Sequence, residues 1–156
     1  MRLIRRAIFG LALLLTLSAT AALAQEAASE GHSGLGFGVK AGFGISPEQF
    51  VVGGQVSLGK SLGIFRVVPN AHFGFGDVTS FDVNVDFLAR LIAEDSGFGF
   101  YGGAAPSLWF SDNTELGGNL IVGIQVPLIP NRATNLEARF GVGNVPDFRL
   151  LATLVF

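Results

Sequence analysis

The chain has 156 residues, enough for one ordinary domain, and contains no cysteine, which excludes disulfides, thiolate metal sites and cysteine nucleophiles. Its formal charge is −2, and no run of Lys and Arg offers the basic patch that a nucleic-acid backbone requires. Charged residues make up only 14% of the chain, against about 25% in a typical soluble protein, so the outer surface is suited to an apolar neighbour.

Residues 1–24 read as an export signal. Arg2, Arg5 and Arg6 form a positive n-region, Ala7 to Leu17 an apolar segment, and Ala22-Leu23-Ala24 a small-x-small cleavage site. The apolar run is shorter than the roughly 20 residues a membrane-spanning helix needs. Loss of the three arginines would take the charge from −2 to −5. Residues 25–34 are small and polar and read as a flexible leader. From Leu35 to Phe156 the apolar residues recur at every second position, with turn residues between segments.

Eight strands are predicted in chain order. Leu35 to Ile45 alternates Leu35, Phe37, Val39, Ala41, Phe43 and Ile45 with glycines and Lys40. Phe50 to Leu58 sets Phe50, Val52, Val56 and Leu58 against Gln55 and Ser57. Phe65 to Gly76 opposes Phe65, Val67, Ala71, Phe73 and Phe75 to Arg66, Asn70 and His72. Phe81 to Leu91 is the cleanest, with Asp82, Asn84, Asp86 and Arg90 on its polar face and only Leu88 breaking it. Phe98 to Phe110 contains Pro106, and Leu116 to Leu128 places Asn119 and Gln125 opposite its apolar residues. Leu136 to Val142 carries Glu137 and Arg139, and Phe148 to Phe156 carries Arg149 and Thr153.

Spacing of i+2 rather than i+3 and i+4 argues against helix, as does glycine in every segment. The links are short: residues 46–49, 59–63, 77–80, 92–97, 111–115, 129–135 and 144–147. Links of this length join antiparallel neighbours, because a parallel crossover needs a dozen or more residues.

Alternation alone permits a soluble barrel with the apolar side inward or a membrane barrel with that side outward. Bulk favours the second: Phe, Leu, Val and Ile fill one face, while glycine, Asn, Ser and scattered ions fill the other. Lys40, Arg66, Arg90, Arg139 and Arg149 are interspersed with Asp82, Asp86 and Glu137, as a buried ion-pair network requires. Each strand has about 9 to 12 residues, close to what a tilted transmembrane strand needs. In hydrocarbon every backbone polar group must be paired, and among sheets only a closed barrel achieves that.

The last nine residues, Phe148-Arg149-Leu150-Leu151-Ala152-Thr153-Leu154-Val155-Phe156, end in phenylalanine after alternating apolar positions. This resembles the C-terminal signal of bacterial outer-membrane β-barrel proteins. The segment count is similar to their small eight-stranded members, such as the OmpA transmembrane domain and OmpX. The resemblance covers Leu35 to Phe156. It implies an all-β, eight-stranded antiparallel up-and-down transmembrane barrel in the outer membrane, with its termini on the periplasmic side. It further implies outer-membrane lipids as neighbours and a C-terminal strand, ending at Phe156, read by the barrel-assembly machinery. The chain departs from the family in its uniformly short links and in aromatic girdles built almost wholly of Phe. By parity Tyr101 and Trp109 point inward, unless a bulge at Pro106 turns Trp109 out.

No catalytic, cofactor or metal residues are assigned. His72 has no Ser or acid at a recognisable spacing and reads as a hydrogen-bonding residue of the lumen; His32 falls in the leader. Asp82, Asn84 and Asp86 share a strand face and could hold a hard cation, but pairing with Arg66 and Arg90 is the simpler account. Gly34-Leu35-Gly36-Phe37-Gly38 precedes no helix, so it is not a phosphate loop. Pro69, Pro106 and Pro127 are expected at bulges or strand ends. The leading expectation is a non-enzymatic structural or membrane-organising protein. The alternatives are a soluble periplasmic barrel holding an apolar ligand, and an outer-membrane lipid-modifying enzyme using His72.

Overall fold

A computed structural model describes residues 36–62, 65–93, 98–129 and 132–156. The expected export signal and leader lie outside these residues. Eight strands follow one another around a closed antiparallel barrel: β1 (Gly36–Ile45), β2 (Gln49–Leu62), β3 (Phe65–Gly76), β4 (Ser80–Ala93), β5 (Gly99–Phe110), β6 (Thr114–Ile129), β7 (Arg132–Gly143) and β8 (Phe148–Val155). The ring is closed by β8 against β1, from Ile45↔Phe148 to Gly38↔Val155. The expected up-and-down architecture is therefore the one found.

Several strands run further than their apolar alternation indicates. β2 continues to Leu62 and β7 begins at Arg132, so most of the links expected at 59–63 and 129–135 are strand. Polar residues mislead here because both faces of these end segments tolerate them. Asn135 pairs with Gln125 and Thr134 with Val126, so the ladder carries on where the apolar pattern stops.

The barrel has two unlike ends. The far end holds the links at residues 46–48, 77–79, 111–113 and 144–147, and the terminal end holds Gly36, Phe156 and the other three hairpin ends. Among the described residues the register shifts only in those three hairpins, at Leu58/Ser61, Arg90/Ile92 and Val126/Ile129. Pro127 lies within the last of these. Pro69 and Pro106 do not mark bulges or strand ends, contrary to expectation. Pro69 stays paired with Val85 and Pro106 with Gly118. Each instead interrupts the ladder to its other neighbour, where pairing resumes in the same register at Leu58↔Val67 and Phe87↔Ala104. A proline removes one donor without moving the strand. With no bulge there, Trp109 stays inward, opposite Asp82.

Apolar side chains cover the outside. Phe43 is 65% exposed, and Leu91, Leu116, Leu120, Val122, Leu128 and Leu150 are similarly open. Near the far end phenylalanines form a band: Phe43 meets Phe50 with ring centroids 5.4 Å apart, Phe73 meets Phe75 at 4.6 Å and Phe81 at 6.5 Å, and Phe140 meets Phe148 at 5.3 Å. Phe65, Phe100 and Phe156 stand exposed near the terminal end. The eight steps from Phe148 to Phe156 along β8 correspond to roughly 26 Å of strand. At a tilt of about 35–45° that is roughly 20 Å along the axis. An apolar wall flanked by aromatic bands is the outer face of a membrane barrel. A soluble barrel with its phenylalanines inside is the reverse of this arrangement, so the carrier alternative loses its apolar cavity.

The inward face is small or polar. Gly53 lies opposite His72 across β2 and β3. A Cβ on Gly53 would overlap the Ala71 carbonyl oxygen and approach the His72 ring to 2.6 Å, whereas at outward Gly54 the nearest atom, Gly38 O, is 3.7 Å away. These adjacent positions give a direct test of which face is crowded. Gly53→Ala is expected to lower the stability of the folded barrel by about 1–3 kcal/mol through overpacking. Gly54→Ala is expected to stay within about 0.5 kcal/mol. Urea unfolding followed by heat-modifiable gel migration measures both.

Candidate functional site

The ionic side chains of the lumen form two linked clusters at mid-barrel. β1 contributes Lys40, β4 Asp82 and Asp86, β7 Glu137 and Arg139, and β8 Arg149. Alternation points each of them inward, and all are almost fully buried.

Arg139 organises the first cluster. Its Nε donates to Glu137 Oε1 at 2.7 Å and its Nη1 to Asp86 Oδ1 at 3.1 Å, and Nη2 completes a two-pronged grip on Asp86. Lys40 Nζ donates to Glu137 Oε1 at 2.9 Å and stands 3.8 Å from Asp86 Oδ2. The Tyr101 hydroxyl donates to Glu137 Oε2 at 3.1 Å. A Cβ on Gly123, directly across from Tyr101, would overlap its ring; glycine is what lets the tyrosine lie flat against the wall.

Asp82 organises the second cluster. Arg149 Nη1 donates to its Oδ1 at 2.8 Å, and Asn84 Nδ2 donates to its Oδ2 at 2.6 Å. His72 Nδ1 lies 2.9 Å from the same Oδ2, and Asn119 Nδ2 donates to Asn84 Oδ1 at 3.2 Å. Lys40, Arg139 and Arg149 balance Asp82, Asp86 and Glu137 when His72 is neutral. Buried charge is tolerated only when paired and hydrogen-bonded in this way.

Two expectations need correction. Asp82 and Asp86 do not pair with Arg66 and Arg90. They reach across the lumen to Arg149 and Arg139, while Arg66 and Arg90 are exposed at the terminal mouth. Strand proximity favoured the first pairing, but the lumen is narrow enough for long side chains to cross it. His72 does have an acid beside it. Asp82 is its register partner in the next strand, a relation that spacing along the chain does not reveal. The Asp82 and Asp86 carboxylates are taken up by guanidinium groups, and among the described residues no group of three or more acidic or histidine side chains is arranged for a metal.

Apolar side chains seal what the ions leave open. Val68, Leu88, Tyr101, Ala105 and Ile121 form a buried cluster inside the barrel. At the far end the link at 144–147 folds inward. Val145 is buried, within 2.7 Å of a Cβ built at Gly117, and Gly141 N donates to Asp147 O at 2.8 Å. Nearby, Gln49 Nε2 donates to Val78 O at 2.7 Å and to Ser80 Oγ at 2.9 Å. Together these side chains pack much of the lumen.

No protein-family profile and no curated protein sequence matches the chain. Solved structures do match its backbone. The N-terminal β-barrel domain of Pseudomonas aeruginosa OprF superposes with a TM-score of 0.61 at 11% identity, over 78% of this chain and 95% of that one. The fold is that of a small eight-stranded outer-membrane barrel. Neisserial surface protein A superposes with a TM-score of 0.61 at 17% identity, covering 81% of this chain and 98% of its own. The de novo designed barrel TMB2.3 matches at 0.58 and 17% identity, over 82% of this chain and 96% of that one.

In this barrel the ionic plug should be sensitive to removal of a single partner. Arg139→Met leaves Asp86 and Glu137 facing each other without their main cation, and is expected to cost about 3–5 kcal/mol. Adding Asp86→Asn to it should restore part of that loss. Arg132→Gln, on the outer wall where Arg132 lies 4.2 Å from the Phe156 ring, should cost less than about 1 kcal/mol. Urea titration of the protein in lipid vesicles compares the variants.

Proposed function

We propose that the protein is an integral outer-membrane barrel with a structural, membrane-organising role and no enzymatic activity. The observation that carries this reading is the combination of an apolar outer wall, banded by phenylalanine, with a lumen filled by paired ions. The wall matches a hydrocarbon slab, and an eight-stranded lumen occupied by these side chains leaves little room for a pore. Its neighbours are then outer-membrane lipids.

The N-terminal signal would carry the chain across the inner membrane, and the strand ending at Phe156 would present it to the barrel-assembly machinery. The termini would face the periplasm. The far-end links are too short to form the long surface loops on which adhesion and receptor roles rest in such barrels.

Two arrangements oppose a lipid-modifying enzyme. His72 is 1% exposed inside the lumen, whereas a lipid substrate would lie against the outer wall. Its ring Nδ1 lies within hydrogen-bond distance of Asp82 and Asn84, and neither supplies a nucleophilic hydroxyl. Nucleophilic acyl chemistry needs a nucleophile within reach of its base.

A charge placed at mid-height on the outer wall tests the membrane assignment. Val122 is 56% exposed, midway along β6. Val122→Arg is expected to destabilise the vesicle-inserted barrel by about 2–4 kcal/mol. A change near zero, or a mature protein that stays monomeric in plain buffer, would contradict the assignment. In planar bilayers the wild-type protein is expected to show no stable large open state.

A further inference from the structure

The ions outside the plug are unevenly distributed. At the far end stand Glu48, Asp77, Asp112, Glu115 and Asp147, and among the described residues no Lys or Arg accompanies them. At the terminal end the described ionic side chains are Arg66, Arg90 and Arg132. Arg132 lies on the outer wall over Phe156. Arg66 and Arg90 face inward, at the mouth.

Register brings these two together. Arg66 pairs with Leu88, two residues from Arg90 on the same face. Diagonal neighbours of this kind lie about 7–8 Å apart. Among the described residues no carboxylate forms an ion pair with either. With no carboxylate partner among the described residues, the two guanidiniums at this mouth repel each other, and an oxyanion between them would relieve that repulsion with two-pronged hydrogen bonds.

A cavity of about 250 Å³ opens at this mouth, lined by Arg66, Gln55, Ser57, Gln125 and Asn135. Arg90 does not line the cavity, but its Nη2 donates at 3.1 Å to Oε1 of Gln125, which does. Asn135 is 6% exposed, and its Oδ1 has no hydrogen-bond partner among the described residues. That atom is an acceptor, so a bare anion would not satisfy it. A ligand that fits both features carries negative charge for the arginines and a hydroxyl donor for Asn135.

We infer that the terminal mouth binds inorganic phosphate, which keeps an ionisable hydroxyl at neutral pH. The inference concerns the lumen mouth, and it stands independently of whether the outer wall meets lipid. Sulfate and chloride lack the hydroxyl near neutral pH, and so does the phosphodiester of an ordinary phospholipid headgroup. The selectivity therefore follows from Asn135 and the affinity from the arginines.

The test uses the folded full barrel in a zwitterionic detergent, with ¹⁵N-labelled arginine side chains observed by NMR at neutral pH and constant ionic strength. Inorganic phosphate is expected to shift the Arg66 and Arg90 Nε–H signals saturably. Sulfate, chloride and the hydroxyl-free phosphodiester dimethyl phosphate should shift them at least several-fold less. Arg66→Gln is expected to weaken phosphate binding by about tenfold or more, as loss of a charged hydrogen bond implies, and Arg132→Gln to leave it unchanged. Asn135→Ala should erase the preference for phosphate over sulfate. The residues changed lie at the mouth, and heat-modifiable migration checks that each variant folds. Equal responses to phosphate, sulfate and chloride would overturn the inference. So would a response to dimethyl phosphate that matches phosphate, or phosphate binding that survives Arg66→Gln and Arg90→Gln together.

Discussion

Closing an eight-stranded sheet on itself leaves an interior so narrow that long inward side chains meet across the axis. This constraint governs the rest of the structure. It places glycine at Gly53 and Gly123, beside His72 and Tyr101 on the neighbouring strands, whose rings need that room. It brings Arg139 of β7 onto Asp86 of β4, and Arg149 of β8 onto Asp82 of the same strand. It also removes every sheet edge, so all eight strands can turn their bulky face outward without offering an unpaired row of backbone groups.

The consequence is a protein whose hydrophobic effect works in reverse order. A water-soluble barrel gains stability by gathering phenylalanine at its centre. Here the centre is ionic and the phenylalanines lie outside, where water would make them a liability and lipid makes them neutral. Stability then has to come from the ladder bonds and from the paired charges of the plug. Those charges cancel within the plug when His72 is neutral. Among the described residues the charges outside the plug stand at the two mouths, acidic at one and basic at the other.

Much of the fold was legible in the sequence because a strand with unlike faces announces itself. Phe81 to Leu91 shows apolar and polar residues in strict turn, and β4 lies where that pattern puts it, extended by a few residues. The terminal Phe156 and the phenylalanine girdles were legible for the same reason. The apolar part of the lumen was not. Val51, Val68, Ile121 and Leu151 are buried inside, yet each sits beside an apolar outward neighbour, so the pair reads as one blurred position. The ion pairs were legible as a composition but not as partners. Arg139 and Asp86 are 53 residues apart, and only barrel closure makes them neighbours. The inward-folded link carrying Val145 reads as an ordinary turn, because nothing local marks that its side chain fills the barrel mouth.

The central claim is directional, and contacts between the aromatic rings and lipid measure it most directly. In lipid nanodiscs, with the protein deuterated except at its phenylalanine rings, NMR cross-relaxation from acyl-chain methylenes should reach Phe43, Phe50, Phe100 and Phe140. Ring-to-ring signals spanning the barrel axis, together with water contacts at Lys40 and Asp86, would show the opposite arrangement and contradict the account.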